Sequence, residues 1–154
     1  MLQESHKVAI YLEGHFSTDY GKMGIGVLRY LSNTIVAVID SKNNGKNTNE
    51  FNSIERSVPI VDNLDAAILN GAEVLILGIA PSGGKIPEAW FKVIESAISK
   101  NLSIINGLHD TLLSKYKNSL QNDQWIWDVR IPKFIPQIAS GKACLLYTSP
   151  SPRD

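Results

Sequence analysis

The sequence predicts an α/β protein: a Rossmann-like, doubly wound, mostly parallel sheet of about five or six strands with helices on both faces. Three observations lead there. The apolar runs are short and almost uninterrupted, as strands covered on both faces require. Most of them end on a glycine, an asparagine or an acid. Between them lie helix-period patterns, and strands that alternate with helices form parallel sheets through right-handed crossovers. A length of 154 residues suits one domain with a sizeable core.

Each element has its own warrant. Val8-Ala9-Ile10-Tyr11-Leu12 reads as the first strand and stops at Glu13-Gly14. A polar, glycine-spotted stretch follows, and its second half, 23–31, has a helical pattern. Residues 34–39 form the second strand, closed by Asp40. The stretch 41–53 is rich in Asn, Lys and Gly and reads as a loop. Val58-Pro59-Ile60-Val61 is a short third strand. Asp62 is placed to cap a helix that runs to Asn70 and ends at Gly71. Val74-Leu75-Ile76-Leu77 is the fourth strand. A helix over 87–100 opens on Pro87 and puts Trp90, Val93, Ile94, Ala97 and Ile98 on one face. Residues 102–105 are the fifth strand. Asp110 or Thr111 then caps a helix to about Leu120, and 125–131 form a last strand.

Composition removes several classes of partner. Lys plus Arg and Asp plus Glu number 15 each, so the net charge is zero. A neutral chain has no electrostatic footprint for nucleic acid or an anionic membrane. No apolar run approaches the roughly 18–20 residues that span a bilayer. The first residues, through Lys7, are polar and lack the apolar core of a signal peptide, so the expected location is the cytoplasm. His6 is expected in a frayed terminus. The one cysteine, Cys144, allows neither an internal disulfide nor a cysteine-cluster metal site. The histidines show no metal spacing, and no metal is expected. The stretch 144–154 has no place in the α/β pattern. Its wording resembles translated sequencing-adapter sequence, with a disordered Ser- and Pro-rich terminus as the alternative. The expected organisation is therefore a domain over 1–143 and a non-native or disordered tail.

Function is sought first at Gly78-Ile79-Ala80-Pro81-Ser82-Gly83-Gly84-Lys85, where a strand ends, a glycine loop turns and a helix begins. That geometry suits an anion or a close backbone approach. It is not a Walker loop: there is one residue too many before Lys85, and Ile86 stands where the magnesium-binding hydroxyl belongs. The segment from Gly14 to Lys22 fails in the same way, with Met23 in the hydroxyl position. A plain tight turn is the alternative for Gly83-Gly84. The first crossover lacks the ordered G-x-G-x-x-G of dinucleotide sites. Asp40 stands where such folds place a ribose-binding acid, although an acid at a strand end more commonly forms a turn. Gly14, Lys22 and Gly24 are candidates to shape an anion pocket. His15 and His109 each follow a strand, and convergence at one edge would suit acid–base work; capping or loop packing is the commoner role. Asp128 and Arg130 alternate on one strand face, where an ion pair with a neighbour is the simplest reading.

Several phrases then fit together. Gly78 to Pro87, Asn106-Gly107-Leu108-His109, and Trp127-Asp128-Val129-Arg130 with Pro132, in that order and spacing, resemble the bacterial domain of unknown function 1611 family, which includes D-glutamate N-acetyltransferase-like proteins. Val38-Ile39-Asp40-Ser41 and Gly45-Lys46 are similar to it as well, and the resemblance covers roughly 7–143. It implies a Rossmann-like N-terminal domain followed by a P-loop domain, and transfer of acetyl from acetyl-CoA to the amine of a D-amino acid. This chain stops before any true Walker loop, so the partner domain is expected to be missing and the fragment alone inactive. Acetyl-CoA or a nucleotide is the implied cofactor of the full-length protein. His109 becomes the candidate base. Lys85 with the Gly83 and Gly84 amides becomes the candidate anion stabiliser, and Gly14 and Asp40 line the same cleft. The alternatives are a self-contained nucleotide-binding module and a non-catalytic domain making homo-oligomer contacts through Trp125 and Trp127.

Overall fold

The computed structural model describes residues 1–51, 54–121 and 123–132. The expected tail lies outside the described residues. Six strands form one sheet in the order β3-β2-β1-β4-β5-β6, and every neighbouring pair is parallel. They are β1 Val8–Tyr11, β2 Ile35–Ile39, β3 Ile60–Val61, β4 Val74–Leu77, β5 Ser103–Asn106 and β6 Ile126–Asp128. The helices are α1 Lys22–Tyr30, α2 Leu64–Leu69, α3 Phe91–Ser99 and α4 Leu112–Tyr116. The chain winds outward from β1 to β3, crosses back, and winds outward again from β4 to β6. The reversal lies between β1 and β4. The central strands β1 and β4 are buried at every residue, which is why they are written in Val, Ile, Leu, Ala and one Tyr rather than in alternation.

The two faces are covered unequally. A Cβ on Gly78 would meet Ile10, and one on Gly107 would meet Met23, so the face carrying Ile10, Ile76 and Ile105 looks toward α1. The opposite face takes Tyr11, whose ring packs edge-on against Trp90 at 5.6 Å, and Asp128, which reaches α4. The right-handed rule places α2 and α3 on that second face too. Trp125 and Trp127 are half-buried, and Trp127 pairs with Ile105 on the α1 face.

Element ends differ from expectation for local reasons. The cap of α2 is Asn63, whose side chain accepts from the Ala66 amide at 2.9 Å, one residue after the expected Asp62. The helix expected from Pro87 starts as a 3-10 turn, Glu88–Trp90, before α3. The helix after Thr111 relaxes into a 3-10 turn, Lys117–Ser119. β6 ends at Asp128 because the Ile131 amide turns back onto the Asp128 carbonyl. The loop over 41–53 contains two 3-10 turns, Ser41–Asn43 and Thr48–Glu50. His6 is not frayed: Asn33 Nδ2 donates to the Gln3, Glu4 and His6 carbonyls, and the His6 ring lies 6.0 Å from that of Trp125. Arg56, in the loop before β3, donates to the Leu28, Leu31 and Asn33 carbonyls and so finishes the C-terminus of α1.

Candidate functional site

Open α/β sheets bind ligands beyond the carboxyl ends of their strands, above all where the winding reverses. Here two backbone hydrogen bonds cross the reversal. The Gly24 amide of α1 donates to the Gly78 carbonyl at 2.8 Å, and the Ala80 amide donates to the Tyr20 carbonyl at 2.8 Å. Both glycines are needed: a Cβ on Gly78 would lie 2.9 Å from the Gly24 Cα, and one on Gly24 would lie 3.0 Å from the Gly78 carbonyl oxygen. The Gly21 and Lys22 amides are returned to Thr18 and Asp19, and the Lys22 ammonium pairs with Asp19 at 3.0 Å. The Lys22 and Gly24 amides, named as candidates for an anion pocket, are thus bonded within the protein. The amides that would hold the anion are committed to packing α1 against β4.

Asp40 takes the commoner of its two expected roles, that of a turn former. It is 0 % exposed, and its carboxylate accepts from the Gly14 amide at 2.9 Å, the Lys42 amide at 3.3 Å and Asn43 Nδ2 at 2.7 Å. It holds the β1 and β2 turns together. Gly14, at φ +70°, is the other half of that tie. Glu13 works alongside, with the Ser41 amide and hydroxyl both donating to its carboxylate. His15 stays in its own loop, 3.1 Å from the Thr18 hydroxyl and stacked edge-on to Tyr20.

The β4, β5 and β6 ends form a second group, and here the expected residues do come together. The His109 amide donates to the Gly84 carbonyl at 2.8 Å. The imidazole lies directly over the Gly84 Cα, where a Cβ would sit 2.1 Å from Cδ2 and 2.6 Å from Nε2 of the ring. Gly84 is thus a close-approach glycine, at φ +65°, while Gly83 serves the turn alone, at φ +78° with nothing near a would-be Cβ. The Ile86 amide donates to Asp110 Oδ2 at 2.6 Å, a second stitch between the two loops. The Gly84 amide is spent on the Pro81 carbonyl, so it leaves the set of anion stabilisers; the Gly83 amide and the exposed Lys85 remain.

Beneath this pair lies a buried polar hub that the sequence reading passed over. Asn106, 0 % exposed, donates through Nδ2 to the Asp110 carbonyl at 2.6 Å and to Asp128 Oδ1 at 2.8 Å, and accepts from the Leu108 amide at 2.9 Å. Asp128 also accepts from the Leu112 and Leu113 amides at 3.0 and 2.9 Å, so it caps α4 from a different strand. The expected ion pair of Asp128 is replaced by amides; Thr111 holds the N-cap position of α4 as expected, but its side chain makes no capping bond and Asp128 takes the amides instead. Arg130 Nε donates to the Gly107 carbonyl at 2.7 Å. Asn106 and Asp128 stand in the phrases Asn106-Gly107-Leu108-His109 and Trp127-Asp128-Val129-Arg130, but nothing in the sequence joins them. Among the described residues no group of three His, Cys, Asp or Glu could hold a metal ion, and no helix is long and apolar enough to cross a membrane.

A family model described as a Rossmann-like domain of unknown function, DUF1611_N, matches residues 41–132. The chain belongs to the DUF1611_N family. Its fold is that of a solved DUF1611 family protein from Anabaena variabilis, with a TM-score of 0.81 and 39% identity over 89% of this chain and 40% of that one. The DUF1611_N chain is also similar to a protein named D-glutamate N-acetyltransferase from Tritonibacter scottomollicae, 32% identical over 90 residues, which are 53% of this chain and 27% of the relative. A second protein of that name, from a Pseudoalteromonas species, is 43% identical over 42 residues, 27% of this chain and 13% of the relative. The chain thus matches about a quarter of the length of the first relative.

Proposed function

We propose that this domain is the Rossmann-like part of a cytoplasmic bacterial D-amino-acid N-acetyltransferase. It acts on a D-glutamate-like substrate, with acetyl-CoA as donor. The supporting observation is the β4–β5 edge, where an imidazole and an exposed ammonium stand on two stitched loops. Acyl transfer to an amine needs one group to take the amine proton and others to steady the oxyanion formed as nitrogen adds to the thioester carbonyl. His109 takes the first role, and Lys85 with the Gly83 amide the second. The phosphates of CoA or a nucleotide are assigned to a C-terminal P-loop domain, because the amides at the winding reversal are already bonded. The same closure speaks against the alternative of a self-contained nucleotide-binding module.

The test is His109→Ala in the full-length protein, with acetyl transfer to D-glutamate followed as free CoA released. His109 is exposed, so the substitution spares the core. Loss of general-base help lowers turnover about 100-fold or more. Undiminished turnover removes the base assignment. No transfer by the unsubstituted protein removes the acetyltransferase reading itself.

A further inference from the structure

We infer that Arg130 and Lys85 form a carboxylate-binding pair at the β4–β6 edge, with Arg130 the anchor for a carboxylate of the small organic acid that the site takes. This rests on the acetyltransferase reading only for the identity of the acid. The site itself stands on the disposition of donors and acceptors at three successive loops.

The acceptors there are committed. Asp128 is buried and takes amides from α4 and from Asn106. Asp110 takes the Ile86 amide. The cationic donors are not. Among the described residues neither Lys85 nor Arg130 forms an ion pair, the described pairs being Lys22 with Asp19 and Lys100 with Asp65. Both side chains are exposed, and so is His109 between them in the chain order of the loops.

Arg130 is also pre-set. Its Nε–H is held by the Gly107 carbonyl at 2.7 Å, which fixes one edge of the guanidinium and leaves the two terminal nitrogens as a fork. A planar fork matches a carboxylate in the two-point manner that an ammonium cannot. The carbonyl that holds it belongs to the β5 loop that carries His109, two residues on. The Val129 amide donates to the Asn106 carbonyl at 2.9 Å and keeps the β6 end in register with that loop. His109 is in turn bound to the β4 loop next to Lys85. Fork, imidazole and ammonium therefore sit on loops tied to one another by backbone, so little ordering remains to oppose binding.

The experiment is an NMR titration of ¹⁵N-labelled chain with glutarate, D-glutamate and inorganic phosphate, repeated with Arg130→Gln and Lys85→Gln. Glutarate and D-glutamate are expected to shift the Arg130 Nε–H, Gly107 and His109 signals saturably. Arg130→Gln weakens binding about tenfold or more and Lys85→Gln by a smaller factor, with the rest of each spectrum unchanged. Equal binding by Arg130→Gln overturns the assignment, as does a response to phosphate without one to the carboxylates. If glutarate binds and D-glutamate does not, the carboxylate pair stands and the D-amino-acid reading falls. If neither binds, the pair falls, and the His109 turnover test still decides the function.

Discussion

Replacing Gly78 by alanine tests the contact that closes the winding reversal. The added Cβ would lie 2.7 Å from Ile10 Cγ2, 2.9 Å from Gly24 Cα and 3.1 Å from the Tyr11 carbonyl oxygen. Ile10 is 0 % exposed and β-branched, so its methyl has nowhere to turn. The Gly24 atom is backbone, held by its own amide on the Gly78 carbonyl at 2.8 Å. Restoring an ordinary contact of 3.4 Å requires α1 to withdraw by about 0.5 Å and stretches that hydrogen bond. Overpacking of this kind costs about 1–3 kcal/mol. The stiffer unfolded chain returns about 0.4–1 kcal/mol. The net loss is about 1–2 kcal/mol, or about 2–8 °C in Tm for a domain of this size. Calorimetry and urea unfolding measure it. The control is Gly26→Ala within α1, where nothing lies within 4 Å of the new methyl; that protein is expected to gain about 0.5–1 kcal/mol. If Gly78→Ala melts with the wild type, or moves in the same direction as Gly26→Ala, the close-approach account is refuted.

Two further outcomes follow from the same contacts. Asp128→Ala removes the cap of α4 and one of the two bonds of Asn106 Nδ2, for a loss of about 2–3 kcal/mol in urea unfolding, with faster hydrogen exchange at the Leu112 and Leu113 amides; unchanged exchange there would refute the cross-strand cap. Burial, with Glu13 nearby, pushes the Tyr11 hydroxyl up to about 12, and burial together with donation to the Glu95 carboxylate pushes Tyr116 up to about 12. The fold holds both phenols neutral, so their contribution is complete below the unfolded value near 10 and is lost as pH rises through 12. Alkaline unfolding followed at 295 nm should show these tyrosines ionising as the structure opens, and Tyr11→Phe should flatten the loss of stability over that range.

The sheet was legible because burial on both faces leaves an unbroken apolar run, and β1, β2 and β4 are such runs. Their parallel pairing followed from the alternation with helices through right-handed crossovers. Helix ends were less legible. Asp62 and Asn63 are equally good caps by chemistry, and the direction in which the chain leaves β3 decides between them. At the site, the contact of His109 with Gly84 follows from the pairing of β4 with β5, which brings the loops after those strands together. Asp40 left two readings open, since an acid at a strand end reads the same whether it meets a ribose or, as here, the Gly14 amide. The Asn106–Asp128 hub was out of reach, because its partners stand 22 residues apart and meet only through the β5–β6 register.

The backbone closure between β1 and β4 has an energetic corollary for any molecule that would enter there. Opening it breaks the Gly24–Gly78 and Tyr20–Ala80 hydrogen bonds, at about 1 kcal/mol each. The open form is then about 3% of the population, and a ligand selecting it loses about thirtyfold in apparent affinity. A dinucleotide would thus start at a handicap that the β4–β6 edge does not impose. Two glycines in contact, Gly24 and Gly78, thus put an energetic cost on entry at the middle of the sheet.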